Sequence, residues 1–257
     1  MNDVRKVTEA WGRIHQRHPT AYQPRYVKQI KRLGHRDFAK LIHEYCNIPQ
    51  GSLILEPGCG SGRDSLYFSS LHYRTVALDY HFLPLSLLQL AVRLLPNDSL
   101  QIVAGDLFGL PFPENRFDLV FNSGVLEHYG SESVRSAVLH EMVRVTKPGG
   151  HVAVLIPNCF HVLDGWWSVL VTRFSDHDEY DIPEQRISAQ QLSKELESVG
   201  LSIELAEPID AYDTISHYPF WLPLRATSYV ASRVLPRPSQ RIREKWGTRI
   251  MVVGRKN

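Results

Sequence analysis

The chain has 257 residues, 43% of them apolar and 22% charged, and a formal net charge of +2. This composition supports a large buried core and excludes wholesale disorder, and the length suits one α/β domain with insertions. The longest stretch without Asp, Glu, Lys or Arg, Pro148 to Leu163, is sixteen residues broken by Pro and Gly, too short to span a bilayer. Met1 to Ala10 is polar and lacks the apolar core of a secretory signal. Cys46, Cys59 and Cys159 have neither a disulfide framework nor metal-ligand spacing. The expectation is a reduced, cytoplasmic, soluble protein without a metal site.

The charge is unevenly placed. Residues 1–40 hold ten basic and three acidic side chains, residues 225–257 nine and one, and the middle ten and twenty-three. The basic ends are either a footprint for an anionic carrier protein, a lipid surface or nucleic acid, or solvated faces that pair with the acidic body.

Residues 1–50 read as helical, with Val27, Ile30, Phe38, Leu41 and Ile42 at helical spacing. Short apolar strands then alternate with amphipathic stretches. Strands are predicted at Ser52–Glu56, Arg74–Asp79, Leu100–Ala104, Phe117–Phe121 and His151–Ile156, the last launched by a turn at Pro148–Gly150. Helices fall at about Pro84–Leu95 and Ser131–Thr146. Such alternation implies a parallel, doubly wound sheet. Beyond it, Ser188 caps a helix that Gly200 stops, and further strands follow at Leu201–Ala206 and Thr248–Val253. Two aromatic-rich insertions, 158–188 and 208–247, interrupt this half.

The segment Glu56-Pro-Gly58-Cys59-Gly60-Ser-Gly62-Arg63 follows a buried strand and opens a helix. Glycines there allow a sharp turn and close ligand approach, and a helix N-terminus favours an anion. A dinucleotide fingerprint requires glycine where this chain has Arg63, which disfavours a nicotinamide dehydrogenase.

With this turn, Asp79 closing the second strand, Gly105-Asp106-Leu107 after the third, Phe117 to His128 and Arg144 to Gly150, the chain resembles the class I S-adenosylmethionine-dependent methyltransferases. The likeness is to the small-molecule branch of the ubiquinone/menaquinone-biosynthesis enzymes, and it is strongest over residues 50–157. It implies a Rossmann-like, seven-stranded, mostly parallel sheet flanked by helices. Residues 1–50 would form a helical lid and 51–257 the methyltransferase domain. The cofactor would be S-adenosyl-L-methionine, leaving as S-adenosyl-L-homocysteine. The resemblance places Glu56, Gly58, Cys59, Gly60, Gly62, Asp79, Tyr80, Asp106, Leu107, Asn122 and Ser123 around it, with Asp79 on the ribose hydroxyls and Asp106 at the adenine amine.

Methyl transfer from a sulfonium is an in-line displacement in which positioning supplies most of the catalysis. His128 is the candidate base, or else orients the acceptor. Glu127 reads as a helix-start residue, and Tyr129 is a further pocket candidate. The Asn/Asp-Pro-Pro-aromatic motif of amino-group methylation and the Pro-Cys nucleophile of cytosine-C5 enzymes are both absent. Trp11, Tyr22, Tyr26, His161, Trp166, Trp167, Tyr218 and Trp221 are candidate acceptor contacts. They suit a small, apolar or aromatic metabolite methylated at oxygen or carbon, or they bury one another. The alternatives are an RNA-directed methyltransferase using the basic ends and a catalytically silent scaffold.

Overall fold

A computed structural model describes residues 2–17, 37–93, 99–158, 161, 182, 184–211 and 235–257. In chain order these form α1 (Asn2–Arg17), α2 (Asp37–Leu41) running into a π-helical turn (Ile42–Cys46), β1 (Leu53–Pro57), α3 (Arg63–Ser70), β2 (Arg74–Asp79), α4 (Phe82–Arg93) and β3 (Leu100–Ala104). Then come β4 (Phe117–Ser123), a 3₁₀ turn (Leu126–His128), α5 (Glu132–Val145), β5 (Thr146–Pro157), α6 (Ala189–Ser198), β6 (Leu201–Ile209), α7 (Gln240–Trp246) and β7 (Arg249–Lys256).

The strands make one seven-stranded sheet in the order β3-β2-β1-β4-β5-β7-β6. The first five in that order run parallel, and β7 runs antiparallel to both β5 and β6. The strand order reverses between β1 and β4, which opens a crevice at their carboxyl ends.

Alternate residues of each strand serve opposite faces of the sheet. Leu55, Val76, Val120, Val152 and Val154 pack with Val138 and Met142 of α5, Leu192 and Leu196 of α6, and Val7 and Ala10 of α1. Ile54, Leu119, Phe121, Ala153 and Val253 pack on the other face with Phe38, Leu41, Ile42 and Phe68. Buried on both sides, the central strands read as continuous apolar runs.

The predicted caps of α6 are present: Ser188 Oγ accepts from the Gln191 N–H at 3.1 Å, and Gly200 has φ +89°. The start of β5 differs from the expected turn. The strand begins at Thr146, which pairs with Phe117, and the ladder shifts register before Leu119 pairs with His151. Pro148–Gly150 therefore lies inside the strand, at an irregularity that Pro and Gly accommodate.

Among the described residues, three of the C-terminal basic side chains pair with the acidic body. Arg237 and Arg243 both reach Glu207, and Arg249 reaches Asp210 at 2.5 Å. Lys256 donates to the carbonyls of Val143 and Thr146, both at 2.8 Å, where α5 ends. Arg241 and Lys245 remain exposed.

Candidate active site

The loop from β1 to α3 is fixed before any ligand is considered. The Gly58 and Cys59 N–H groups donate to Leu78 O at 2.8 and 2.9 Å. The Gly60 N–H donates to Asp79 Oδ2 at 2.7 Å, and Asp79 Oδ1 accepts from the His81 N–H at 2.8 Å. The buried Asp79 carboxylate thus ties the glycine loop to the end of β2. Each of its oxygens keeps a lone pair for a further donor.

The glycines have separate reasons. Gly58 sits at φ +74°, and a Cβ there would lie 2.9 Å from Val125 Cγ2. Gly62, at φ +64°, has no room beside the Leu88 side chain. Gly60, at φ +48°, faces open space and lines a cavity.

That cavity, of about 1200 Å³, lies at the carboxyl edge of the sheet. Its floor is Gly58, Cys59, Gly60, Asp79, Asp106 and Ser123, and its outer wall is the α1 face carrying Val7, Trp11 and His15. The aromatic groups interlock. Trp11 meets His128 edge-on at 5.2 Å and stacks on His15 at 5.6 Å, His15 meets His81 at 5.3 Å, and Phe108 meets Tyr129 edge-on at 5.4 Å. Arg135 of α5 fixes the Tyr129 backbone, donating to its carbonyl at 2.8 Å while held by the buried Glu195 carboxylate of α6.

Burial sets the ionisation of the site. It lowers the His15 pKa, with Asp79 opposing and His81 adding to the shift. Burial, then the Asp106 and Asp79 charges, push Tyr129 to about 12. Glu127 is raised to about 8 chiefly by burial; its Oε2 has no hydrogen-bond partner among the described residues, and its Oε1 lies 4.0 Å from His128 Nε2. Burial, followed by Glu56 and Asp79, holds Cys59 as a thiol and removes nucleophilic character from the turn.

Of the residues proposed from sequence, Gly58, Cys59, Gly60, Asp79, Tyr80, Asp106, Leu107, Ser123, His128 and Trp11 converge on the cavity. Four do not line it. Glu56 points behind the loop and accepts from the Ser65 N–H at 2.9 Å and from its hydroxyl; it satisfies a donor of the α3 N-terminus, while burial and then the Asp64 charge raise its pKa against these bonds. Gly62 packs on Leu88. Asn122 turns into the core, donating to Met142 Sδ at 3.4 Å. His161 packs edge-on against Trp246 at 6.5 Å. Tyr22, Tyr26, Trp166, Trp167, Tyr218 and Trp221 lie outside the described residues.

Sequence reasoning missed His15 and His81 as neighbours of the site. His81 had a readable signal, two positions beyond Asp79. His15 had one only as the i+4 partner of Trp11 on a helix face.

A glycine turn after β1, carboxylates at the ends of β2 and β3, and a cavity at the switch point define a Rossmann-like domain for a ribose-bearing cofactor. Residues 55–154 match the family model described as "Methyltransferase domain". The chain is 27% identical over 110 residues to the tRNA (carboxymethyluridine(34)-5-O)-methyltransferase of Arabidopsis thaliana, a match covering 43% of this chain and 25% of that protein. It is 28% identical over 205 residues to the demethylmenaquinone methyltransferase of Paenarthrobacter aurescens, covering 77% and 72%. The crystal structure of an S-adenosylmethionine-dependent methyltransferase from Aquifex aeolicus superposes with a TM-score of 0.57 at 15% identity, covering 91% of this chain and 99% of that one. The matched domain, these relatives and the fold together support a class I S-adenosylmethionine-dependent methyltransferase. The chain spans only about a quarter of the length of the Arabidopsis relative. Among the described residues no helix is long and apolar enough to cross a membrane, and no group of three or more His, Cys, Asp or Glu is placed to hold a metal.

Proposed function

We propose that the chain transfers a methyl group from S-adenosylmethionine to oxygen or carbon of a small, mostly apolar or aromatic acceptor. The size and lining of the cavity carry this reading. At about 1200 Å³ it exceeds the roughly 300–1,000 Å³ of a pocket for one small molecule. Its floor is polar at Asp79 and Asp106, and its far wall is Trp11, Phe108, Val125, Tyr129 and Val134. Cofactor and acceptor fit side by side.

The residues suit the cofactor. Asp79 has acceptor capacity left for both ribose hydroxyls, Asp106 accepts from an exocyclic amine, and the open side of Gly60 leaves the backbone approachable. The bound sulfonium supplies an activated methyl group. The chain's own part is to orient and to exclude water: α1 closes the cavity, and Trp11 packs His128 against its wall. His128 either takes the acceptor proton at a ring nitrogen or fixes the acceptor by hydrogen bonding.

The test is to incubate the protein with methyl-labelled S-adenosylmethionine and cell extract, then separate lipid, small polar, protein and nucleic-acid fractions. Label in the lipid or small-molecule fraction is expected. A second reading, an RNA acceptor, is favoured by relatives named tRNA methyltransferases. Label in RNA would replace the first reading with it. No label, with the cofactor still bound, would leave the fold as a scaffold.

A further inference from the structure

Helix α7 has no buried residue, although it lies against the body of the protein. Arg243 seats it, donating to Pro238 O at 2.7 Å and pairing with Glu207 of β6. At about 100° per residue, Arg241, Lys245, Ile242 and Trp246 follow one another over an arc of about 140° on the helix surface. Gln240 and Glu244, bonded to each other at 3.0 Å, lie on the far side. Ile242 is 48% exposed, Trp246 40%, and Leu235 just before the helix 52%. Trp246 meets His161 edge-on, Ile242 and Leu235 are about half exposed, and their neighbours on the arc are two exposed cations.

The position of this arc is defined by the sheet. Asn158, directly after β5, donates through Nδ2 to Gly247 O at 2.8 Å, and Pro157 pairs with Arg249. Ser123, on the cavity floor at the end of β4, pairs with Leu155 near the end of β5. Helix α7 therefore stands on the edge of the sheet that holds the cavity.

We propose that α7, with Leu235, is an interfacial helix that seats the protein on an anionic bilayer surface. Tryptophan and aliphatic side chains partition to the headgroup boundary, and neighbouring Arg and Lys pair with anionic headgroups. Three partly exposed apolar residues make this contact shallow and reversible, so charge governs it. An acidic protein partner would use Arg241 and Lys245 but gives no reason for the apolar half of the arc. Resting on the proposed apolar acceptor, the contact also supplies a source for it: the lipid phase, met at the edge where the cavity lies.

The experiment is co-sedimentation of the full chain with vesicles of phosphatidylcholine containing about one third phosphatidylserine, against phosphatidylcholine alone. Binding to the anionic vesicles is expected, with release by salt. Changing both Arg241→Gln and Lys245→Gln should lower the partition coefficient on the order of thirtyfold, from about 1 kcal/mol per basic residue. Ile242→Ser with Trp246→Ser should weaken binding as well. Because Arg241 and Lys245 are exposed, the glutamine variant should melt with the wild type. Trp246 keeps a ring contact with His161, so the serine pair is compared at temperatures where its own melt shows it folded, and the salt dependence of the unaltered chain tests the same contact without any variant. Absence of binding to anionic vesicles, or binding indifferent to the glutamine pair and to salt, overturns the proposal. Binding that survives the serine pair unchanged overturns the bilayer contact in favour of an acidic macromolecule. Cofactor affinity in the glutamine variant should be unchanged, so vesicle binding and the proposed methyl transfer fail or hold separately.

Discussion

Asp37 and Asp210 stand 173 positions apart, and each accepts the other's backbone N–H, at 2.9 and 3.0 Å. The reciprocal bond joins the start of α2 to the residue that follows β6. Asp210 also receives Arg249 at 2.5 Å, and Arg249 reaches the Ser123 hydroxyl on the cavity floor at 3.3 Å. The carboxyl groups are crowded: burial first, then the Asp210 charge, raises Asp37.

Asp210→Ala removes the acceptor from both the Asp37 N–H and Arg249. Breaking one side of such a buried pair costs about 3 kcal/mol or more. The midpoint of urea unfolding should fall accordingly with the slope unchanged, and an unaltered midpoint would refute the clamp.

Gly60 and Gly62 should respond differently to alanine. Gly60→Ala costs about 1 kcal/mol, for a left-handed residue with open space beside it, but sets a methyl group at the cavity. Binding of S-adenosylhomocysteine, read by calorimetry, should weaken more than stability does. Gly62→Ala drives Leu88 out of place and should lower the melting temperature first.

Asp79→Ala takes the acceptor from the Gly60 and His81 N–H groups and from any ribose hydroxyl. Loss of a charged acceptor of this kind corresponds to about 2–3 kcal/mol, on the order of a hundredfold in cofactor affinity. Equal affinity in the variant would remove Asp79 from the proposed cofactor site.

Glu127 and His15, both buried, act with opposite signs on stability. Glu127 is raised from 4.5 to about 8, so the folded state holds its proton more tightly and stability falls as pH rises through that window. Glu127→Gln should flatten this fall. His15 is lowered below 6.5, so its contribution is present above that value and is lost as pH drops below it. Thermal melts of wild type, Glu127→Gln and His15→Gln across this range separate the two.

The strands were legible because their apolar runs are short, continuous and bounded by turn residues. The end of β2 at Asp79 and the cap at Ser188 coincide with the sequence reading. Asp79, Asp106 and the glycine turn were legible because a strand-to-helix context gives such residues meaning. Side-chain direction was not. Whether Glu56 faces a ligand or the α3 N-terminus depends on the turn between them, and whether Asn122 faces the cavity or Met142 depends on the strand's pleat. The ring contacts among Trp11, His15, His81 and His128 come from three separate segments, so no local spacing announces them.

Strand β7 enters the sheet between β5 and β6, although β6 precedes it in the chain. During synthesis, β6 therefore emerges with no rung to occupy, and the apolar edge of β5 stays open until residues 249–256 follow. Closure of the sheet must be late, and until then the nascent chain presents a bare edge that pairs readily with another chain. Cutting away those eight residues would not trim the sheet's rim but cut β6 loose from the five strands beyond β7.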